Sequence, residues 1–86
     1  MHRILKFPLK IEDEQDILVP AGSRLLCVQV QGETPCVWAL CPVDADTRER
    51  RFIHTRGTGQ LFEPHGYYLG TYQLHGGALV LHVFID

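Results

Sequence analysis

The stretch that decides the fold is Ala78-Leu79-Val80-Leu81-His82-Val83-Phe84-Ile85. A strand with one face on a core and the other in water alternates apolar and polar residues. This stretch is apolar on both faces apart from His82, and it follows Gly76-Gly77, a dipeptide typical of tight turns. We therefore predict a β-strand that is covered on both faces. In a chain of 86 residues we expect the second cover to be another copy of the protein, with an interface at Val80, His82 and Phe84.

Outside this strand, turn residues recur about every eight to twelve positions, and the segments between them are short and rich in branched and aromatic residues. That spacing predicts an all-β fold, a compact single-domain antiparallel sandwich or small barrel of about seven strands over residues 1–86. The predicted strands are Ile4–Leu9, Asp16–Val19, Arg24–Gln31, Cys36–Cys41, Arg50–Thr55, Tyr67–Gln73 and Ala78–Ile85. No segment has a sustained helical repeat, so we predict at most one short helical turn, at Asp44–Arg48.

Strand alternation also predicts which side chains share a face. The shared faces are Leu26, Val28 and Val30 on the third strand, and Tyr68, Gly70, Tyr72 and Leu74 on the sixth. Trp38 is expected to pack in the core, because its large ring buries much apolar area, and the alternative is stacking on a base or on a partner.

Composition limits the classes of partner. The net charge of −2 gives no general affinity for phosphate backbones, so we do not expect nucleic acid as a partner. No apolar run reaches the length of a membrane span, and the first residues lack the pattern of a signal peptide, so we expect a cytosolic protein without membrane contact. The three cysteines have neither disulfide-framework nor zinc-finger spacing, and we interpret them as free thiols that pack as small apolar side chains.

The most basic part of the chain leads into a glycine-rich turn and is our candidate ligand site. Guanidinium groups suit phosphate or carboxylate recognition, and the backbone N–H groups of a turn such as Gly57-Thr58-Gly59 can converge on an anion. The predicted anion-binding residues are Arg51, Arg56, Gly57, Thr58, Gly59, Gly70 and Thr71. The alternatives are a solvated edge strand for the basic run and a plain tight turn for the glycines.

Catalytic and metal-binding patterns are absent from the sequence. No two histidines lie at metal-ligand spacing on one element, although His54 and His82 could meet across strands in a surface or interface metal site. The acidic residues between 12 and 16 have the character of a solvated loop. We therefore predict no catalytic residue, no metal site and no cofactor. His82 is expected to be hydrogen-bonded within a subunit contact, with a ligand contact or a pH-sensitive interface group as the alternative.

With these residues placed, the chain resembles a family of short, mostly uncharacterised β-rich proteins encoded by tailed phages, prophages and their bacterial hosts. The resemblance is carried by the blocks Ile4–Leu9, Val28–Gln31, Val37–Leu40, Gly57–Gly59, Leu69–Thr71 and His82–Phe84, in that order. A histidine often follows the Gly-Thr-Gly in that family, whereas this chain has Gln60. The resemblance implies an accessory protein of a phage or prophage that binds a host factor or a host signal in the host cytosol.

These observations predict a non-enzymatic, homo-oligomeric binding protein. Its expected target is a host defence factor or a small anionic, nucleotide-like signal, and the counter-defence role comes from the resemblance alone. Two alternatives remain open. One is a structural or virion-associated interaction module, and the other is a small hydrolase that uses His82 or His54.

Overall fold

The computed structural model describes residues 1–86 and confirms the all-β prediction, with seven strands in two antiparallel sheets. The strands are β1 (His2–Pro8), β2 (Glu14–Pro20), β3 (Arg24–Gln31), β4 (Thr34–Pro42), β5 (Arg48–Gly57), β6 (Tyr67–Leu74) and β7 (Leu79–Ile85). No helix has the length and apolar character that a bilayer crossing requires.

One sheet has three strands in the order β1-β4-β3, and the other has four in the order β2-β5-β7-β6. The core lies between them and includes the fully buried side chains of Val19, Val37, Ile53 and Val83. Because β7 has a hydrogen-bonded neighbour on each side, it is an interior strand of its sheet. Both of its hydrogen-bonding edges are therefore paired, but this position does not by itself cover either face of the strand.

The predicted helical turn at Asp44–Arg48 is wrong. The segment after β4 is a turn, and β5 already begins at Arg48. The backbone here bonds to residues far away in the chain: the Ala21 N–H donates to the Thr47 carbonyl at 3.0 Å, and the Val43 N–H donates to the Met1 carbonyl at 3.2 Å. The Thr47 carbonyl and the Val43 N–H are therefore not available for hydrogen bonds within a helical turn. A single 3₁₀ turn occurs instead at His75–Gly77, between β6 and β7.

Two β-bulges change the predicted faces of β3 and β6. One lies between Leu25 and Cys27, and the other lies between Tyr68 and Gly70. A bulge adds one residue to a strand and reverses the face of the residues before it. Leu25 is therefore buried and Leu26 is exposed, which contradicts the predicted grouping of Leu26 with Val28. Tyr68 is likewise 59% exposed, on the face opposite the buried Tyr72.

The two bulged strands are edge strands of different sheets, and they meet at Gly70. A Cβ atom added to Gly70 would lie 2.9 Å from Val28 Cγ1, which is closer than van der Waals contact allows. Gly70 thus lets β6 cross tightly over β3 and helps to close the sandwich along this side.

Trp38 is placed outside the core. The positions of β4 that face the core are Val37, Ala39 and Cys41, so the alternate position of Trp38 points to the outer face of the three-stranded sheet. Its ring is only partly buried there. The expected core role of Trp38 is therefore wrong, because strand alternation takes precedence over the size of the side chain.

Tyr72 gives a first testable prediction. Its side chain is buried, its hydroxyl has no hydrogen-bond partner, and burial raises its pKa above the usual value of 10.0. A buried hydroxyl without a partner costs about 1–3 kcal/mol, so we expect Tyr72→Phe to keep or increase the free energy of unfolding measured in urea at neutral pH. A clear loss of stability would show that the hydroxyl has a partner.

The same substitution has a pH signature. The pKa of Tyr72 is higher in the folded protein than in the unfolded chain, so ionisation of this side chain favours unfolding. The folded state is unaffected below the unfolded pKa and loses stability as the pH rises through the folded pKa. We expect wild-type stability to fall more steeply than that of Tyr72→Phe above about pH 10.

Candidate functional site

The outer face of the four-stranded sheet carries an ordered row of polar side chains. Arg56 on β5, His82 on β7 and Thr71 on β6 are direct cross-strand neighbours. The two ring nitrogens of His82 lie 2.7 Å from Thr58 Oγ1 and 2.9 Å from Thr71 Oγ1. Thr71 also shares a hydrogen bond with the Tyr68 hydroxyl. His82 is therefore hydrogen-bonded within its own chain, and the predicted residues Thr58, Thr71 and His82 do come together.

This row has only part of a hydrolytic site. Thr58 and His82 are at the distance of a nucleophile and its general base, but the group on the far side of His82 is the Thr71 hydroxyl and not a carboxylate. No cavity contains either Thr58 or His82. The geometry therefore favours a structural network over the hydrolase alternative.

The Gly57-Thr58-Gly59 turn does not present an open anion site. The Gln60 N–H donates to the Gly57 carbonyl at 3.1 Å, and the Gly57 N–H in turn donates to Gln60 Oε1 at 2.9 Å. One donor that was predicted for an anion is thus already used. Gly59 has a φ of 82°, so the turn explains its glycine without a ligand.

Arg56 is also occupied. Its guanidinium pairs with the Glu14 carboxylate, donates to the Asp13 carbonyl at 3.0 Å, and lies 5.6 Å from the centre of the Phe62 ring. The hydrogen bond from Arg56, aided by His54 and opposed by burial, holds the pKa of Glu14 below its usual value. The positive charge that was predicted to attract an anion is therefore neutralised within the chain.

The predicted anion site is not assembled as one unit. Arg51 and Arg56 are five positions apart on β5, so alternation places them on opposite faces of the sheet. Arg51 donates through Nε to the main-chain oxygen of Asp86 at 2.9 Å and through Nη1 to the Ser23 carbonyl at 3.4 Å, far from the glycine turn. Gly70 points inward against Val28. The sequence prediction that grouped Arg51 and Gly70 with the turn is therefore wrong.

The predicted interface residues Val80, His82 and Phe84 all lie on the outer face of β7, and each is partly buried. Part of the cover of Phe84 comes from the same chain. Phe62, in the β5–β6 connection, stacks on Phe84 at 5.5 Å between ring centres, and Tyr68 meets Phe84 from the other side at 5.6 Å. The two-sided character of β7 is thus explained in part without a second copy, and self-association stays a prediction.

A second group of titratable side chains lies on the same face, beside the ion pair of Arg56 and Glu14. His54 Nε2 is 3.1 Å from Asp86 Oδ2 and 3.2 Å from His65 Nδ1, and His65 Nδ1 is 3.0 Å from Asp86 Oδ1. We call His54, His65 and Asp86 the histidine–aspartate cluster. Burial opposes the charged form of His54, but hydrogen bonds to Asp86 and Glu14 outweigh it and raise its pKa above the usual value.

The cluster could not be found from the sequence because its members come from three separate segments, β5, the β5–β6 connection and the residue after β7. The sequence pattern instead suggested a pairing of His54 with His82. In the structure, the residue opposite His54 on β7 is Phe84, and His82 lies opposite Arg56.

A groove of about 560 Å³ lies beside the edge strands β3 and β6. We call it the β3–β6 groove. Its walls come from both bulged segments, and its lining includes Arg24, Leu26, Arg51, Tyr67, Tyr68 and Leu69. Bulges are common beside binding sites because they redirect side chains away from the regular pleat.

The charge of the β3–β6 groove distinguishes it from the outer face. Neither Arg24 nor Arg51 forms an ion pair with a side-chain carboxylate, whereas Arg50 and Arg56 both do. The groove therefore holds two guanidinium groups whose charge is not neutralised by a neighbouring side chain.

A comparison with protein-family models matches residues 1–86 to a domain of unknown function, DUF7352. Neither the curated proteins nor the solved structures contain a match to the chain. Because the family match covers every residue of the chain, the protein belongs to the DUF7352 family.

Proposed function

We propose that the protein is a non-enzymatic binding protein that takes a small anionic ligand with a planar ring, of the nucleotide type, in the β3–β6 groove. The observation that supports this proposal is the combination of two arginines without side-chain carboxylate partners and two exposed tyrosine rings around one groove.

The size and chemistry of the groove suit such a ligand. Small-molecule sites commonly have about 300–1,000 Å³ and combine an apolar lining with a few polar groups, and the groove volume of about 560 Å³ falls in that range. Leu25, Leu69 and Ile85 contribute apolar surface. Tyr67 is 78% exposed and Tyr68 is 59% exposed, so both rings are accessible for stacking with a planar base.

Arg51 is positioned in advance for an anion. The main-chain oxygens of Asp86 and Ser23 accept hydrogen bonds from Nε and Nη1, and Nη2 makes no hydrogen bond within the chain. Holding the guanidinium in place lowers the entropy that binding would otherwise cost. Arg24 reaches the same groove from β3 with an exposed side chain, so the two arginines can approach a phosphate or carboxylate from different strands.

The biological setting is a proposal of the same kind. The resemblance to phage and prophage proteins supports a host-derived signal or defence factor as the target, which would make the protein a counter-defence binder. The three free cysteines support a reducing compartment such as the host cytosol.

A structural or virion-associated module is the second candidate, and one surface favours it. On the outer face of the three-stranded sheet, Ile4 is 60% exposed and lies directly opposite Leu40, with Trp38 two residues along the strand. Exposed apolar rows of this kind often mark protein contacts. Light scattering tests it, since a monomer at high concentration would contradict both this module and the homo-oligomer.

The ligand proposal is tested by thermal shift and calorimetry with AMP, ADP-ribose and a cyclic dinucleotide. A ligand at 100 times its Kd should add about 2.7 kcal/mol to the free energy of unfolding. We expect Arg24→Ala and Arg51→Lys to weaken binding by about tenfold or more, because each disturbs a charge-assisted hydrogen bond worth about 1.5–3 kcal/mol.

Arg48→Ala is the matched control for this experiment, because Arg48 is an exposed arginine outside the groove and without an ion-pair partner. Arg56→Ala tests the outer face separately. Binding that is lost in Arg56→Ala but kept in Arg24→Ala would contradict a ligand site in the β3–β6 groove. The absence of binding by all three nucleotides would contradict the proposed ligand class.

A further inference from the structure

We infer that His54, His65 and Asp86 bind one divalent transition-metal ion of the zinc type. The three side chains offer two imidazole nitrogens and one carboxylate, and their ligand atoms all lie within 4.8 Å of one another. Imidazole with carboxylate suits zinc, whereas calcium and magnesium prefer oxygen ligands alone.

The spacing of the two imidazole nitrogens fits a tetrahedral ion. Zinc bonds to nitrogen and oxygen are about 2.0–2.1 Å long, so two ligands of a tetrahedral ion lie about 3.3 Å apart. His54 Nε2 and His65 Nδ1 lie 3.2 Å apart. Asp86 Oδ2 lies 3.1 Å from the first nitrogen, and Asp86 Oδ1 lies 3.0 Å from the second. With one atom from each residue as ligand, the atoms lie within 4.8 Å of one another, so the Asp86 carboxylate would turn to place one oxygen near both nitrogens.

The neighbours of the cluster match the outer shell of a metal site. His54 Nδ1 is hydrogen-bonded to the Glu14 carboxylate, which directs the lone pair of Nε2 towards His65 and Asp86. Glu14 is itself fixed by Arg56. A histidine ligand usually donates its other ring N–H to a carboxylate in this way, because that bond sets the tautomer and increases the basicity of the ligand.

The backbone also holds the ligands together. The Asp86 N–H donates to the Phe52 carbonyl at 3.1 Å, so the ladder between β5 and β7 continues to this residue. Gly66, next to His65, has a φ of 77°, and a Cβ atom there would lie 2.1 Å from the Ile85 carbonyl oxygen. Only glycine lets the connection approach β7 so closely, and this approach brings His65 to Asp86.

The cluster joins three segments, so an ion would fasten the β5–β6 connection to the sheet. His65 is the accessible ligand, with 66% of its side chain exposed, while the side chain of His54 is only 16% exposed. Three protein ligands leave the fourth position of a tetrahedral ion open to water. This inference does not depend on the nucleotide proposal, because the side chains of the cluster are not part of the β3–β6 groove lining.

The test is titration of chelator-treated protein with zinc ions, followed by calorimetry. We expect about one zinc ion per chain in the wild type and loss of measurable binding in both His65→Ala and Asp86→Asn. Glu14→Ala should weaken zinc binding by about 10–100-fold, as outer-shell substitutions do. His2→Ala is the matched control, since His2 is exposed and outside the cluster, and it should bind zinc like the wild type.

Cobalt spectroscopy separates this site from the thiols, because Cys27 is accessible enough to bind a soft metal. Nitrogen and oxygen ligation gives cobalt visible bands without the intense thiolate charge-transfer absorption, and we expect that spectrum. Far-UV circular dichroism of His65→Ala checks that the fold is intact. The inference is overturned if the wild type binds no zinc, if zinc binding survives in His65→Ala and Asp86→Asn, or if the cobalt spectrum shows thiolate ligation.

Discussion

Ile53→Ala is expected to lower the free energy of unfolding by about 2–5 kcal/mol. Ile53 is fully buried in the middle of β5, where it pairs with Ile85 on β7 and contributes one of the largest side chains of the core. Truncation removes the transfer free energy of the lost methylene and methyl groups and leaves a cavity between the sheets. Because small domains have total stabilities of only about 5–15 kcal/mol, this loss should shift the urea midpoint strongly.

Phe52→Ala is the control on the adjacent position. Phe52 is 46% exposed on the outer face, so its truncation should cost about 1 kcal/mol or less. Urea unfolding followed by the fluorescence of Trp38, the single tryptophan, measures both variants. Equal losses would contradict the assignment of Ile53 to the core and Phe52 to solvent.

Gly66→Ala is expected to cost about 2–4 kcal/mol and to detach the β5–β6 connection from β7. Two effects add at this position. The positive φ of 77° strains any residue with a Cβ atom, and that atom would overlap the Ile85 carbonyl oxygen, which cannot move without disturbing the end of β7. Since His65 is the next residue, the variant should also lose the zinc binding inferred for the cluster.

Gly59→Ala separates the two effects. Gly59 begins the same connection with a φ of 82°, but nothing lies within 4 Å of the position that an added Cβ atom would take, so only the backbone strain of about 1–2 kcal/mol applies. Thermal and urea unfolding of the two variants, with hydrogen exchange of the connection, gives the comparison. If both substitutions cost the same, the close contact between Gly66 and β7 is not a determinant of stability.

Local sequence rules were sufficient for the strands. All seven predicted strands coincide with observed ones to within two residues at each end, and the prediction for β3 has the observed bounds. Turn residues and side-chain alternation are properties of short segments, and each strand contains enough of both to be identified without its neighbours.

The same rules failed where two segments had to be placed against each other. The bulges in β3 and β6 cannot be recognised from the order of apolar and polar residues in the sequence. They direct Leu26 and Tyr68 outward, where both line the β3–β6 groove. Strand periodicity does predict that Arg51 and Arg56 lie on opposite faces of β5. Grouping them in one site is the one error in the predicted site that the sequence could have prevented.

The sequence by itself determined an all-β chain, its strand positions and the apolar character of β7, because these depend on residues close together in the chain. Only the tertiary structure decided that Glu14 would neutralise Arg56, that Phe62 would cover Phe84, and that His54, His65 and Asp86 would converge. Each of these contacts joins residues from different strands or connections. Their meeting depends on strand order and register, which pairwise hydrogen bonding between distant segments sets and which no local pattern encodes.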